Sequence, residues 1–209
     1  MIIHQIFPTP IYHSKLERAL TTEELKGINE YKKKTYQNEG NITSTDNYVL
    51  ENKTFKNLKE DLYKMVIDYF DKIICSDNDV IPYITQSWLN YTRPNEYHHK
   101  HLHPNSLVSG VFYVDAKKEV DGILFHKTLA HQGTVRSLSL ELRTTRVNVF
   151  NSKSSGLSVQ TGDVFLFPST LIHGVDRKKG TNTRISLSFN VFFKGKLGIA
   201  EQLTELTIQ

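Results

Sequence analysis

Residues 162–191 read GDVFLFPSTLIHGVDRKKGTNTRISLSFNV and contain the patterns that most constrain the fold. A glycine turn, an apolar run at 163–167 and Pro168 predict one short buried strand. A second strand begins at Arg184 and alternates strictly between polar and apolar residues. Successive side chains of a strand point to opposite faces, so the polar residues share one face. They are Arg184, Ser186, Ser188 and Asn190.

Short strands of this kind fill the chain after Pro82, and helices precede them. The predicted strands are 83–92, 107–115, 122–127, 145–150, 156–160, 163–167 and 184–193. A capping-box sequence at 21–24 predicts a helix to about Tyr36, and apolar helical periodicity predicts another over 54–74. Residues 37–53 are polar and read as loop. Two helices followed by at least seven strands predict helices packed on a β-sandwich or barrel.

The composition excludes several classes of protein. The chain has 209 residues, a formal charge of +4 and a pI of about 9.0. The charges are interleaved, and the basic runs at 32–34 and 177–179 are interpreted as solvated surface, so nucleic-acid binding is not expected. Cys75 is the only cysteine, which excludes an intramolecular disulfide and fits a cytoplasmic protein. There is no long apolar run and no signal-peptide pattern, so no membrane association is expected.

We expect the chain to form one domain, because no linker or repeat divides it. Within it, residues 1–80 would supply N-terminal strands and supporting helices, and residues 83–195 the β core. Residues 196–209 would form a C-terminal tail. The sequence leaves the oligomeric state open.

Histidines cluster around one run of the sequence. Seven of the nine lie between residues 98 and 173, and four of those fall within 98–103. Residues i and i+2 of a strand point to the same face, roughly 7 Å apart. His101 and His103 can therefore bind one metal ion at about 2.1 Å each, and His99 and His101 meet the same condition.

A metal site needs a third ligand, and His173 is the best candidate. It follows the strand at 163–167 and precedes Gly174, which predicts a position at a strand end, where a barrel opens. A lone histidine is more often a surface or hydrogen-bonded residue. A His-x-His pair with a distant strand-end histidine favours a metal site instead.

Arg184 is predicted to lie deeper in the same cavity. Ten residues separate it from His173, which is enough for a turn and a return along the neighbouring strand. The simpler interpretation of the polar stripe is a solvent-facing surface. A guanidinium inside a barrel needs an anion, and a carboxylate matches its planar fork with two parallel hydrogen bonds. Ser186 can donate a hydroxyl to the same carboxylate.

The spacing His-x-His, His, ten residues, Arg-x-Ser resembles that of the 2-oxoglutarate/Fe(II)-dependent oxygenases, and in detail a bacterial and phage branch of that superfamily. The matching stretches span nearly the whole chain. They are 6–10 (IFPTP), 87–91 (SWLNY), 101–106 (HLHPNS), 109–114 (SGVFYV), 162–169 (GDVFLFPS) and 184–190 (RISLSFN).

The resemblance implies a mostly β fold with N-terminal helices and a double-stranded β-helix (jelly-roll, cupin-like) core with the metal at its open end. It implies His101, His103 and His173 as ligands of Fe(II), with O2 and the co-substrate 2-oxoglutarate completing the chemistry. Arg184 would bind the distal carboxylate of 2-oxoglutarate, helped by Ser186. Tyr91 or Tyr113 would add a hydroxyl to that carboxylate. The implied reaction is hydroxylation of a C–H bond, on a substrate that the sequence does not name but that a peptidyl side chain would fit.

One departure from the superfamily keeps two alternatives open. His103 stands where the superfamily usually has Asp or Glu, so the site would be one unit more positive. Three histidines and water also suit zinc, which allows a cupin-like metalloprotein with other chemistry. The other alternative is a non-catalytic jelly-roll binding module. The loop 177–179 is expected to rim the cavity, and 37–53 or 128–145 could form a lid.

Overall fold

The computed structural model describes residues 2–4, 6–76, 79–127 and 144–209. Within these residues the chain forms two α-helices and twelve strands. The helices are α1 (Thr22–Tyr31) and α2 (Lys56–Tyr69). The strands are β1 (Tyr12–Lys15), β2 (Thr35–Gln37), β3 (Ile42–Ser44), β4 (Ile81–Thr92), β5 (His98–His101), β6 (Val108–Asp115), β7 (Gly122–His126), β8 (Ser154–Ser158), β9 (Asp163–Pro168), β10 (Ile172–Val175), β11 (Arg184–Leu197) and β12 (Leu206–Ile208). None of the helices described is long and apolar enough for a membrane span.

The strands form two antiparallel sheets. The larger sheet has the order β1-β9-β6-β11-β4-β3-β2, and β12 pairs with the end of β11. The smaller sheet has the order β5-β10-β7-β8. Two antiparallel sheets with helices near the N-terminus confirm the predicted mostly β fold with a jelly-roll core.

Helix α1 begins where its sequence predicts. Thr21 accepts a hydrogen bond from the backbone N–H of Glu24, and the Glu24 carboxylate accepts one from the backbone N–H of Thr21. The helix ends at Tyr31, five residues before the predicted end at Tyr36, because residues 35–37 pair with β3 as strand β2. Helix α2 runs on through a π-helical turn, Phe70–Ile74, which matches the predicted span of 54–74.

The larger sheet separates two hydrophobic clusters. Leu58, Leu62 and Val66 of α2 pack on its outer face, together with Leu89 and Leu187. The second cluster lies between the two sheets and comprises Val111, Tyr113, Ala116, Ile123, Phe125, Val159, Phe165 and Phe167. Adjacent residues of β6 and β9 alternate between the two clusters, as the twofold period of a strand requires.

Several predicted elements differ from the structure. Residues 145–150 form bends and a turn rather than a strand. Strands β2 and β3 overlap the predicted loop 37–53, and β12 lies in the expected tail 196–209. Residues 128–143, which hold His131 and most of the second candidate lid, lie outside the described residues.

Candidate metal centre and co-substrate pocket

Three histidines converge at one end of the space between the sheets. His101 ends β5, His173 lies on β10 directly opposite it, and His103 follows β5 by two residues. Their candidate ligand nitrogens all lie within 4.8 Å of one another. The Nε2 atoms of His103 and His173 are 3.3 Å apart. Two nitrogens bound at 2.1 Å to one ion are separated by about 3.0–3.4 Å, so this pair already has the spacing of metal ligands.

Backbone carbonyls fix the orientation of two of these rings. His101 Nδ1 lies 2.9 Å from the carbonyl oxygen of His99, and His173 Nδ1 lies 2.9 Å from that of Leu171. A carbonyl only accepts hydrogen bonds, so each Nδ1 carries the hydrogen and each Nε2 keeps its lone pair. This arrangement is the usual support for a metal-binding imidazole.

The environment keeps the three rings neutral. Burial, and then the neighbouring His173 and His101, lower the pKa of His103 to about 3. Burial, and then His101, lower the pKa of His173 to about 4. The pKa of His101 is also lowered, mainly by burial. Neutral imidazoles are the form that binds a metal ion, so the site needs no deprotonation at neutral pH.

The described residues place no carboxylate in the triad. Both groups of side chains that could hold a metal ion consist of histidines alone. Asp121 forms an ion pair with Lys178, with Asp121 Oδ1 and Lys178 Nζ 2.9 Å apart, and the Asp163 carboxylate accepts a hydrogen bond from the backbone N–H of Gln160. The predicted set of three neutral histidines is therefore one of the two sets that could hold a metal ion.

The second group consists of His98, His99 and His101. His101 pairs with His173 and His98 pairs with Val175, so β5 contains one residue more than β10 between these pairs. This β-bulge brings His98 to the same pocket as His101, with ring centroids 4.7 Å apart. Burial, then His101 and other neighbours, lower the pKa of His98.

Arg184 lies in the same pocket as the triad. Its side chain is 2% exposed. Its Nη1 donates to the carbonyl of Gly122 at 3.2 Å and its Nη2 to Thr92 Oγ1 at 3.1 Å, whereas its buried Nε has no partner. Among the described residues no carboxylate pairs with it, and burial lowers its pKa. A buried guanidinium with an unused donor is able to bind an anion.

Neighbouring strands supply further polar groups. Ser186 and Ser188 lie on the pocket face of β11 with Arg184. Asn90, on β4, donates from Nδ2 to Ser188 Oγ at 3.0 Å, and its buried Oδ1 has no partner. The sequence-based prediction missed Asn90. The pairing of Asn90 with Ser186 places Asn90 on the pocket face. In the sequence, only its position two residues after Trp88, which lines the same pocket, could have indicated that it faces inward.

The two tyrosines proposed as alternatives lie on opposite faces of the larger sheet. Tyr113 pairs with Ser186 and lines the pocket, and burial raises its pKa to about 12. Tyr91 faces the helices, where its hydroxyl donates to the carbonyl of Ile28 at 2.9 Å. The structure therefore contradicts the placement of Tyr91 in the pocket, because its register with Ile185 turns it to the outer face.

The expected basic rim is only partly available. Lys178 is buried, and its Nζ lies 2.9 Å from Asp121 Oδ1 and 2.9 Å from Asn182 Oδ1. Arg177 donates to the carbonyl of Asn95 and lies over the ring of Tyr97. Of residues 177–179, only Lys179 is both exposed and without a hydrogen bond, ion pair or ring contact to another described residue. The loop 177–179 is mainly structural.

A jelly roll whose pocket holds three converging histidines defines the class of cupin-like metal-binding proteins. Residues 86–190 match the model of a family described as "Putative 2OG-Fe(II) oxygenase". Because this match covers half of the chain, the chain belongs to that family of oxygenases, which use Fe(II), 2-oxoglutarate and O2. No curated protein sequence matches the chain.

Solved structures share the fold at low sequence identity. HygX from Streptomyces hygroscopicus, solved with nickel, 2-oxoglutarate and hygromycin B, is 15% identical, with a TM-score of 0.55 over 88% of this chain and 82% of that one. A prolyl hydroxylase from Trichoplax adhaerens, in complex with a hypoxia inducible factor peptide, is 13% identical, with a TM-score of 0.57 over 87% and 83%. The epimerase SnoN of nogalamycin biosynthesis is 13% identical, with a TM-score of 0.59 over 92% and 84%.

Proposed function

We propose that this oxygenase hydroxylates a C–H bond of a primary substrate, with His101, His103 and His173 as its iron ligands and Arg184 as the residue that binds the distal carboxylate of 2-oxoglutarate. The single observation that carries the proposal is Arg184. Its guanidinium, which no carboxylate of the described residues neutralises, is buried in the same pocket as three histidines whose nitrogens lie within 4.8 Å of one another. A dianion could place one carboxylate at the Arg184 guanidinium and the other end at the three histidines.

The chain's own residues would hold and orient this co-substrate. Gly122 and Thr92 fix the guanidinium of Arg184 by each accepting one hydrogen bond from an Nη atom, which leaves the Nε–H and one N–H of each Nη for the ligand. The hydroxyl of Ser186 and the phenol of Tyr113 lie on neighbouring positions of β11 and β6, and each can donate to the same carboxylate. Iron, when bound, supplies the oxidative chemistry; the protein supplies geometry and a pocket that excludes water.

The primary substrate is the open part of the proposal. HygX was solved with hygromycin B and the prolyl hydroxylase with a peptide fragment, so both kinds of ligand occur with this fold. We propose a peptidyl side chain as the first class to test. Lys178 is held by Asp121, so a basic rim at residues 177–179 contributes little to substrate choice.

The experiment measures succinate formed from 2-oxoglutarate by anaerobically purified protein that receives Fe(II) and then oxygen. We expect slow turnover without a primary substrate, and its loss in Arg184→Ala and His173→Ala. Matched controls are Arg93→Ala, an exposed arginine paired with Glu96, and His126→Ala, on the strand next to His173. Both controls should keep the activity of the unmodified protein.

A zinc enzyme with other chemistry is the second candidate, and the neutral three-histidine donor set favours it. It predicts tight Zn(II) binding, no succinate, and no effect of Arg184→Ala on whatever activity the zinc form shows. A change in the spectrum of the Fe(II) form on adding 2-oxoglutarate would reject it. No metal binding at all would indicate a non-catalytic module.

A further inference from the structure

The bulge in β5 brings a fourth imidazole into the pocket. In a regular strand, residues three apart point to opposite faces, so His98 would point away from His101. The extra residue between the pairs His101–His173 and His98–Val175 reverses this, and His98 lines the pocket. Bulges next to active sites commonly re-aim a side chain in this way.

Backbone packing holds the bulge in place. A Cβ at Gly174 would lie 3.0 Å from the carbonyl oxygens of both His98 and His99, so β10 approaches the bulge more closely than a larger residue allows. The ring of His98 stacks on that of His101 at an interplanar angle of 27°. The position of His98 is therefore built into the pairing of β5 with β10.

His98 keeps one donor unused. Its Nε2 lies 3.4 Å from Asn38 Nδ2, which also donates to Asn41 Oδ1 at 3.2 Å. Since the Asn38 amide nitrogen is only a donor, His98 Nε2 accepts and its Nδ1 carries the hydrogen. In the described part of the chain no group accepts from this Nδ1–H.

The proposed co-substrate has two carboxylates, and Arg184 accounts for one. The second, at the keto-acid end, would lie at the histidine triad, which contributes no charge. Asn90 lines the same pocket, and one of its two amide N–H groups is donated to Ser188. His98 also has a free N–H, and it is the one of the two whose side chain stacks on the ring of His101.

We propose that His98 binds the keto-acid carboxylate of 2-oxoglutarate by donating its Nδ1–H, and so orients that end of the co-substrate. The inference rests on the proposed function, because it assumes the same ligand. It makes His98 a co-substrate-binding residue rather than a metal ligand.

The test compares three variants of the anaerobic Fe(II) form, in which no turnover occurs. His98→Phe keeps a stacked ring and removes the donor, whereas His98→Asn places an amide N–H near the position of Nδ1. His126→Phe is the control, on β7 and outside both groups of histidines that could hold a metal ion. Iron content is measured by elemental analysis, and 2-oxoglutarate affinity by calorimetry and by the ligand-dependent change in the visible spectrum.

We expect one iron per chain in every variant. The Kd for 2-oxoglutarate should rise about tenfold in His98→Phe, less than threefold in His98→Asn, and less than twofold in His126→Phe. Unchanged affinity in His98→Phe would overturn the inference and leave the proposed function standing. Loss of iron in His98→Phe, or two ions per unmodified chain, would make His98 a metal ligand and also overturn it. Failure of the unmodified iron form to bind 2-oxoglutarate would overturn both proposals.

Discussion

The two faces of strand β11 have opposite effects on the stability of the fold. The outer face is apolar, and its Leu187 is 1% exposed against the residues of α2. The inner face presents Arg184 and Ser186, equally buried, with a guanidinium nitrogen that has no partner. Burying apolar surface stabilises the fold, whereas burying an unpaired charge destabilises it. One face thus stabilises the structure, and the other retains binding capacity at the expense of stability.

The largest effect should come from Arg184→Met. We expect the Kd for 2-oxoglutarate to rise about 10²–10³-fold, because a carboxylate loses its charged partner. Stability of the ligand-free protein should stay the same or rise, because an unpaired buried charge is replaced by apolar volume. Calorimetry and thermal unfolding measure the two quantities. A fall in Tm of the ligand-free protein would show that the inner face is structural after all.

Leu187→Ala is the corresponding substitution on the outer face, and we expect it to affect stability rather than binding. The cavity left beside α2 should lower the free energy of unfolding by about 3 kcal/mol, as for other buried leucines. The affinity for 2-oxoglutarate, measured on the fraction that remains folded, should change less than twofold. Urea unfolding and calorimetry at low temperature test this pair. A large loss of affinity would mean that the two faces are coupled through the strand.

The third comparison is a pH dependence that belongs to the inner pocket. Folding lowers the pKa of His103 to about 3 and of His173 to about 4, from about 6.5 in the unfolded chain. Between pH 6.5 and about 4 the unfolded chain binds more protons, so stability falls as the pH falls through this window. In metal-free protein the two shifts together correspond to a loss of several kcal/mol across this window.

Thermal unfolding from pH 7 to pH 4 measures this loss. The double variant His103→Leu, His173→Leu should flatten the curve over the window, whereas Leu187→Ala should shift it downward at every pH. An unchanged slope in the double variant would assign the titration to other groups.

The sequence was sufficient where a local pattern decides the structure. Thr21 and Glu24 form the predicted capping box, and the alternation that starts at Arg184 predicts the inner and outer faces of β11. The convergence of His101, His103 and His173 follows from strand geometry and one plausible return of the chain. The roles of these residues as ligands remain predictions until metal binding is measured.

The sequence was insufficient where the pairing of a strand with a distant strand decides the direction of a side chain or the end of an element. His98 enters the pocket only because β5 gains a residue against β10, and nothing in the run 98–103 marks the bulge. Tyr91 and Asn90 are adjacent, and the register with β11, rather than their own chemistry, decides which of them faces inward. Tyr31 ends α1 early because the following residues pair with β3, a contact that helix propensity does not contain.

The late position of β11 in the chain has a consequence for biosynthesis. This strand lies in the interior of the larger sheet, between β6 and β4, and Arg184 is paired with Thr92, which precedes it by 92 residues. Until β11 is synthesised, β4 and β6 therefore have unpaired edges and the sheet is split in two. Non-local pairing of this kind folds slowly and exposes strand edges to aggregation. The nascent chain is therefore expected to need protection, by a chaperone or by slow release, until β11 emerges.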